Sequence, residues 1–318
     1  MCRKQIIDVC DETAAVVASP SYAQGWSRTQ RRGRTAMVAA AVGAFAILGS
    51  ILLAPSALAD PCGSGCNVSS GPHSSATANV TPNSRNSVDV SAHGRSNAFA
   101  DVNGKGNDSV TVANHHSNAI TVIEGNHNKV STGADNRGTA VNVVLGNHNG
   151  ATATANNGGT AANGVVGNHD NATATANNHG TAVNVAFGNH DNATATANNR
   201  GTATNVVLGN HDNATATANN GGTATNVVLG NYSTANSFAD GAGSVATSIA
   251  TNGGKANSIA LAGGQATATA TGSDQTAMAL AYGSGTTAVG DNASCGTNGV
   301  AFAVTTSNGH ITDSCFTI

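Results

Sequence analysis

Aromatic residues make up only 3% of this chain and charged residues 9%, and Trp26 is its one tryptophan. Ordinary globular domains carry about 25% charged residues. A conventional core of large apolar side chains is therefore excluded, which leaves a thin-cored repetitive protein or a disordered chain. Catalytic signatures are lacking too. No Ser-His-Asp order, zinc-protease helix or phosphate loop is present, and the Gly-rich turns open no helix. An enzyme needs a cleft with converging titratable groups, and the turns here are too short to build one. Neither catalysis nor a cofactor is expected. Beyond residue 59 the chain has seven Lys/Arg against thirteen Asp/Glu, well dispersed. That balance offers no footprint for nucleic acid or anionic lipid.

What the chain does have is a period of 21 residues. Gly-Asn-His recurs at Gly125, Gly146, Gly167, Gly188 and Gly209, and Gly230-Asn231-Tyr232 ends the series. A fixed period in this range marks a solenoid or array. The copy from Gly188 to Leu208 reads GNHDNATATANN and then RGTATNVVL. Each half is a short segment of period-2 alternation behind a Gly/Asn turn cluster, which is the strand-and-turn signal. Thr, Asn and Gly are weak helix formers. One copy therefore predicts two strands and two tight turns.

Two such strands bury nothing alone, so successive copies must stack, each strand pairing with its equivalent ~4.8 Å along the axis. The expected fold is all-β: a solenoid of roughly ten stacked coils, with two parallel sheets facing across a thin core. Ala193, Ala195 and Ala197 are expected inside, with Thr194 and Thr196 outside. In the second strand the inside is expected to be Ala203, Asn205 and Val207, because Asn142, Asn163, Asn184, Asn205 and Asn226 form an unvarying column whose amides can bond along a ladder. The alternative buries Thr202, Thr204, Val206 and Leu208.

Residues 1–59 read as an export signal with an N-terminal extension. Arg28, Arg31, Arg32 and Arg34 precede an apolar stretch from Ala36 to Ala54, and Ala57-Leu58-Ala59 is an Ala-x-Ala cleavage site. A membrane is thus expected only during export, and the product secreted or at the cell surface. Residues 60–86 read as an N-terminal lead-in and cap, with 67–84 as loop. Residues 87–290 form the solenoid and 291–318 a C-terminal cap. There Ser307-Asn308-Gly309 between alternating segments predicts a β-hairpin that shields the open strand edge of the last coil. The cysteines beyond residue 59 predict two local disulfides, Cys62–Cys66 and Cys295–Cys315.

Gly146-x-x-Asn149-x-Ala151 resembles the curlin repeat of bacterial functional amyloid, and Gly125-x-x-Asn128-x-Val130 resembles it in part. Ser258-Ile259-Ala260-Leu261-Ala262 is similar to the head repeats of trimeric autotransporter adhesins. The overall plan resembles secreted actinobacterial Ala/Thr/Gly/Asn-rich repeat proteins, which implies a location without an activity.

Three functional readings follow. The first is a structural or adhesive protein presenting flat Thr/Asn faces to a cell-wall component, a glycan or itself. The second is ice or ordered-water binding through two Thr columns, Thr152, Thr173, Thr194, Thr215 and Thr154, Thr175, Thr196, Thr217. Their hydroxyls would lie ~6.7 Å apart along a strand and ~4.8 Å between coils, and such arrays resemble those of ice-binding solenoids. The third is metal binding along a column of His127, His148, His169, His190 and His211, joined by Asp170, Asp191 and Asp212, since imidazole and carboxylate together can hold transition metals. For this column the competing reading is a turn residue copied with its repeat.

Overall fold

The structure is a computed structural model that describes residues 65–82, 84–291, 299–306 and 309–317. Among these residues it is the expected all-β solenoid. Strands alternate along the chain between a 13-stranded sheet (sheet A) and an 11-stranded sheet (sheet B), so eleven coils each give one strand to both. Asn192–Ala197 belongs to sheet A and Thr202–Asn210 to sheet B. In the regular coils each residue pairs with its copy 21 positions away, as in Thr194↔Thr215 and Asn205↔Asn226. Ladders are parallel except the last, where Gly309–Thr317 runs antiparallel to Gly299–Thr306 and ends sheet A as the expected hairpin partner.

The alternation decides the core. Ala193, Ala195 and Ala197 are fully buried, as are their copies one coil either side, while Thr194 and Thr196 face outward, half-buried. A methyl side chain on every inward strand position of sheet A in the four regular coils, from Ala151 to Ala218, brings the two sheets close together there. That closeness leaves no room for growth. Ala195→Leu is expected to lower stability by about 1–3 kcal/mol through overpacking. Thr194→Val, one residue away on the outer face, should stay within about 0.5 kcal/mol. Denaturation midpoints of the two variants check the contrast.

In sheet B both faces are apolar between residues 120 and 229, so alternation alone leaves two candidate interiors. Val143, Val183 and Val185 on one face are buried, as are Val144, Val165 and Val207 on the other. Hydrogen bonding shows which face meets sheet A. Asn163 Nδ2 donates to Asn142 Oδ1 at 2.8 Å, Asn184 to Asn163 at 2.8 Å, Asn205 to Asn184 at 2.9 Å and Asn226 to Asn205 at 3.1 Å. Asn142 and Asn163 also reach across the core to the carbonyls of Ser131 and Thr152, at 2.7 and 2.6 Å, and Asn184 and Asn205 reach those of Thr173 and Thr194. The Ala/Asn/Val face is the inside.

The asparagine ladder does not end in open bonds. At one end Asn142 Nδ2 donates to Thr132 Oγ1 at 2.7 Å, and Thr132, Thr121 and Thr111 are linked hydroxyl to hydroxyl. At the other, Ser237 Oγ donates to Asn226 Oδ1 at 2.6 Å and Ser248 and Ser258 continue the line. A polar spine thus runs from Thr111 to Ser258. A buried polar network is stable only when its members are satisfied, and hydroxyl groups from either sheet complete this one.

The solenoid starts earlier than the sequence pattern places it. Cys66–Ser70 and Ser75–Val80 are strands of a first coil, inside the segment expected to be lead-in and loop. They pair with Ser87–His93 and Asn97–Asn103 at an offset of 22 residues, as in Val68↔Val90 and Ala78↔Ala100. One extra residue puts this coil out of step with the 21-residue count, and Pro72 gives the segment the look of a loop. Beyond Tyr232 the offset also wanders, to 22 at Thr223↔Val245 and 20 at Val245↔Gln265, while the strands stay paired. The turns absorb the change. Cys62 and Cys295 lie outside the described residues, and so do the two expected disulfide pairings, as does the export segment 1–59.

Candidate functional site

Three columns of side chains run along the stack. The first is on the outer face of sheet A. Thr152, Thr173, Thr194 and Thr215 pair in register, as do Thr154, Thr175, Thr196 and Thr217. All eight point outward, Thr152 exposed and the rest half-buried. Asn156, Asn177, Asn198 and Asn219 border them as a second ladder, with amide-to-amide bonds of 3.2, 3.0 and 3.2 Å. The array ends where Asn236 and Phe238 replace the next threonines. From there the same face becomes apolar: Phe238, Ile259, Met278, Tyr282 and Phe302 are all exposed.

The second column is at the turn between sheets B and A. His127, His148, His169, His190 and His211 stack face over face with centroids 4.8–5.2 Å apart, and Tyr232 continues the stack at 4.9 Å. Each of these residues has a left-handed backbone, φ between 57° and 64°. His tolerates this conformation better than branched residues do, and the glycine two positions before each one completes the turn. The rings are exposed and parallel, so their nitrogens sit one coil apart rather than converging. Among the described residues no group of three His, Cys, Asp or Glu side chains is placed to share a metal ion.

The third column is one that the sequence pattern merges with the second. Asp170, Asp191 and Asp212 follow the histidines directly, yet they point inward and are 1% exposed. They occupy the position held by Asn86, Asn107, Asn128 and Asn149 in the preceding coils, and from Asn107 on each backbone N–H in the column is bonded to the side-chain Oδ1 one coil before. Burial pushes the three acids up from 3.8, Asp170 to about 6, Asp191 to about 7 and Asp212 to about 6. Backbone hydrogen bonds oppose the rise in all three. His190 and His169 also oppose it at Asp170, whereas Asp170 and Asp212 add to it at Asp191. The change from Asn to Asp after the His is visible in the sequence. The inward direction continues the alternation of the following strand, since Asp170 lies on the same face as Ala172, Ala174 and Ala176.

Asn142, Asn163, Asn184, Asn205 and Asn226 are structural: all are buried in the core spine. No protein-family model, curated protein or solved structure matches the chain.

Proposed function

We propose that this chain is an exported structural or adhesive protein that presents flat Thr/Asn faces at the cell surface or outside the cell. The observation that carries this reading is the unbroken register of the outer face of sheet A, where equivalent side chains of four coils lie in straight columns. A rigid sheet offers a partner the same contact at every coil, ~4.8 Å apart. It does so with little entropy left to lose on binding, and preorganisation of this kind raises affinity. Repetition suits an extended partner such as a glycan or cell-wall polymer, where single weak contacts add along the chain. The apolar end of the same face, from Phe238 to Phe302, supplies a stickier patch beside the polar one.

A binding screen of residues 60–318 against glycans and isolated cell walls tests this. Thr173→Tyr combined with Thr194→Tyr breaks the flat face without touching the core and is expected to weaken binding at least about tenfold. Equal binding by both proteins, or none by the wild type, removes the reading. Export is checked separately by mass spectrometry of the secreted chain, which is expected to begin at Asp60.

The paired threonine columns favour a second reading, binding of ordered water or ice. Thermal hysteresis that survives Thr194→Val and is lost in Thr194→Tyr is its expected result. A wild type without hysteresis excludes it.

A further inference from the structure

The aspartate column continues a stack of asparagines with a fixed pattern of bonds. Asn107, Asn128 and Asn149 each use two atoms. Oδ1 accepts the backbone N–H of the next coil, while Nδ2 donates to the carbonyl of Gly125, Gly146 or Gly167 at 2.9, 2.8 and 2.9 Å. Asp170, Asp191 and Asp212 repeat the first half. Their Oδ1 atoms accept from the N–H of Asp191, Asp212 and Ser233 at 3.0, 3.0 and 2.7 Å. The second half is missing. Oδ2 stands where the amide nitrogen stood, and in all three residues it is buried with no hydrogen-bond partner among the described residues.

What that oxygen faces is another acceptor. A Cβ placed on Gly167 would lie 1.7 Å from the Gly188 carbonyl oxygen and 2.3 Å from Asp170 Oδ2. The same construction gives 1.6 and 2.6 Å at Gly188, and 1.5 and 2.4 Å at Gly209, to the next glycine carbonyl and to Asp191 or Asp212. Each Oδ2 therefore sits close to a glycine carbonyl oxygen. Two buried acceptors in this position repel, and three stacked carboxylates would repel one another as well. A proton on Oδ2 removes both problems and restores the bond that asparagine makes.

We propose that Asp170, Asp191 and Asp212 form a proton-loaded ladder: each is a neutral carboxylic acid whose Oδ2–H donates to the carbonyl oxygen of Gly188, Gly209 or Gly230, and release of these protons to solvent loosens the turns that carry the histidine stack. The raised pKa values of the three acids agree with this. The sign follows by linkage. The folded chain holds protons that the unfolded chain has already released, so the stabilisation is complete below the ordinary value of 3.8 and is lost as pH rises through about 6 to 7. Among the described residues, the charged or titratable groups facing the column are His169, His190 and His211 on the same edge and the three acids themselves; Asn149 and Ser233 bound it at either end, uncharged. Positive charge on the imidazoles acts against proton loading. His127 and His148 stand on the same edge beside asparagines, so the earlier coils serve as an internal control.

The test is the triple variant D170N/D191N/D212N, which installs the residue the stack already uses at this position. The wild-type Tm is expected to fall by several degrees from about pH 5 to about pH 8, and the variant's by much less. Amide exchange at residues 188–192 and 209–213, corrected for intrinsic rates, should quicken about tenfold over that range relative to 125–128 and 146–149. Infrared spectra at the lower pH should show a protonated carboxylic acid band that the variant lacks. Identical pH profiles for the two proteins would overturn the proposal, as would carboxyl 13C shifts showing all three acids ionised at the lower pH. So would a Ca2+-dependent rise in the wild-type Tm at the higher pH that the variant lacks, since the ladder would then hold a cation in place of protons.

Discussion

Gly188→Ala is expected to lower the melting temperature by about 10 °C or more, from a cost of roughly 3–6 kcal/mol. The backbone there has φ 141°, a region that side-chain-bearing residues rarely adopt. The new methyl would also lie 1.6 Å from the Gly209 carbonyl oxygen, so backbone would have to move. The neighbouring coil cannot yield alone, because Gly209 makes the same close approach to Gly230 at 1.5 Å. The glycine column is therefore a line of direct backbone contact, and one methyl pushes two coils apart at the edge that carries the histidines. Gly133 is the control. No atom of the described residues lies within 4 Å of the position its methyl would take, and its φ is not among the positive values. Gly133→Ala should be neutral or stabilise by about 0.5–1 kcal/mol, since alanine suits a strand better. Calorimetric melts of the two variants side by side decide the matter; equal effects would mean that the close approach does not hold in solution.

Asn205→Ala is expected to cost roughly 3–5 kcal/mol. Asn205 donates to Asn184 Oδ1 at 2.9 Å and to the Thr194 carbonyl, and it accepts from Asn226 Nδ2 at 3.1 Å. Truncation leaves the Asn184 oxygen with one donor fewer and takes from Asn226 its acceptor in the ladder, deep between the two sheets. Leaving a buried group unsatisfied costs its full desolvation penalty, and that exceeds the worth of the bond itself. Asn189→Ala removes the same side chain from an exposed ladder, where the bond to Asn210 is 3.4 Å long and water can replace it. That variant should stay within about 0.5 kcal/mol. Urea denaturation of the pair provides the comparison, and similar midpoints would show that the core ladder carries no special weight.

Most of the fold was legible because its information is local. Ala193, Ala195 and Ala197 alternate with threonines, and a period of two assigns faces without any knowledge of the partner sheet. The 21-residue spacing then sets register, since identical residues stack only at that offset. The first coil escaped for the same reason. Its spacing is 22, so Val68 and Ala78 fell out of the count although they pair with Val90 and Ala100. Less of the candidate site was legible. The threonine columns followed from alternation, but the apolar end of that face, at Phe238, Ile259, Met278 and Phe302, lies in coils whose turns differ and whose residues do not repeat.

Two choices needed the structure to settle them, although the unvarying Asn column already favoured the first. Sheet B has two apolar faces, and the one turned inward was settled by where asparagine amides find carbonyls on the other sheet, a contact between residues 11 apart in sequence and across the core in space. His169 and Asp170 are neighbours with opposite fates, one exposed and one buried on the face of Ala172, Ala174 and Ala176; the glycine carbonyl that the buried acid meets is supplied only by the next coil. Periodicity carries strand, register, alanine core and asparagine column in the order of the letters; the bonds that fix the inward face and the surroundings of the buried acids exist only once two sheets and a turn have been brought together.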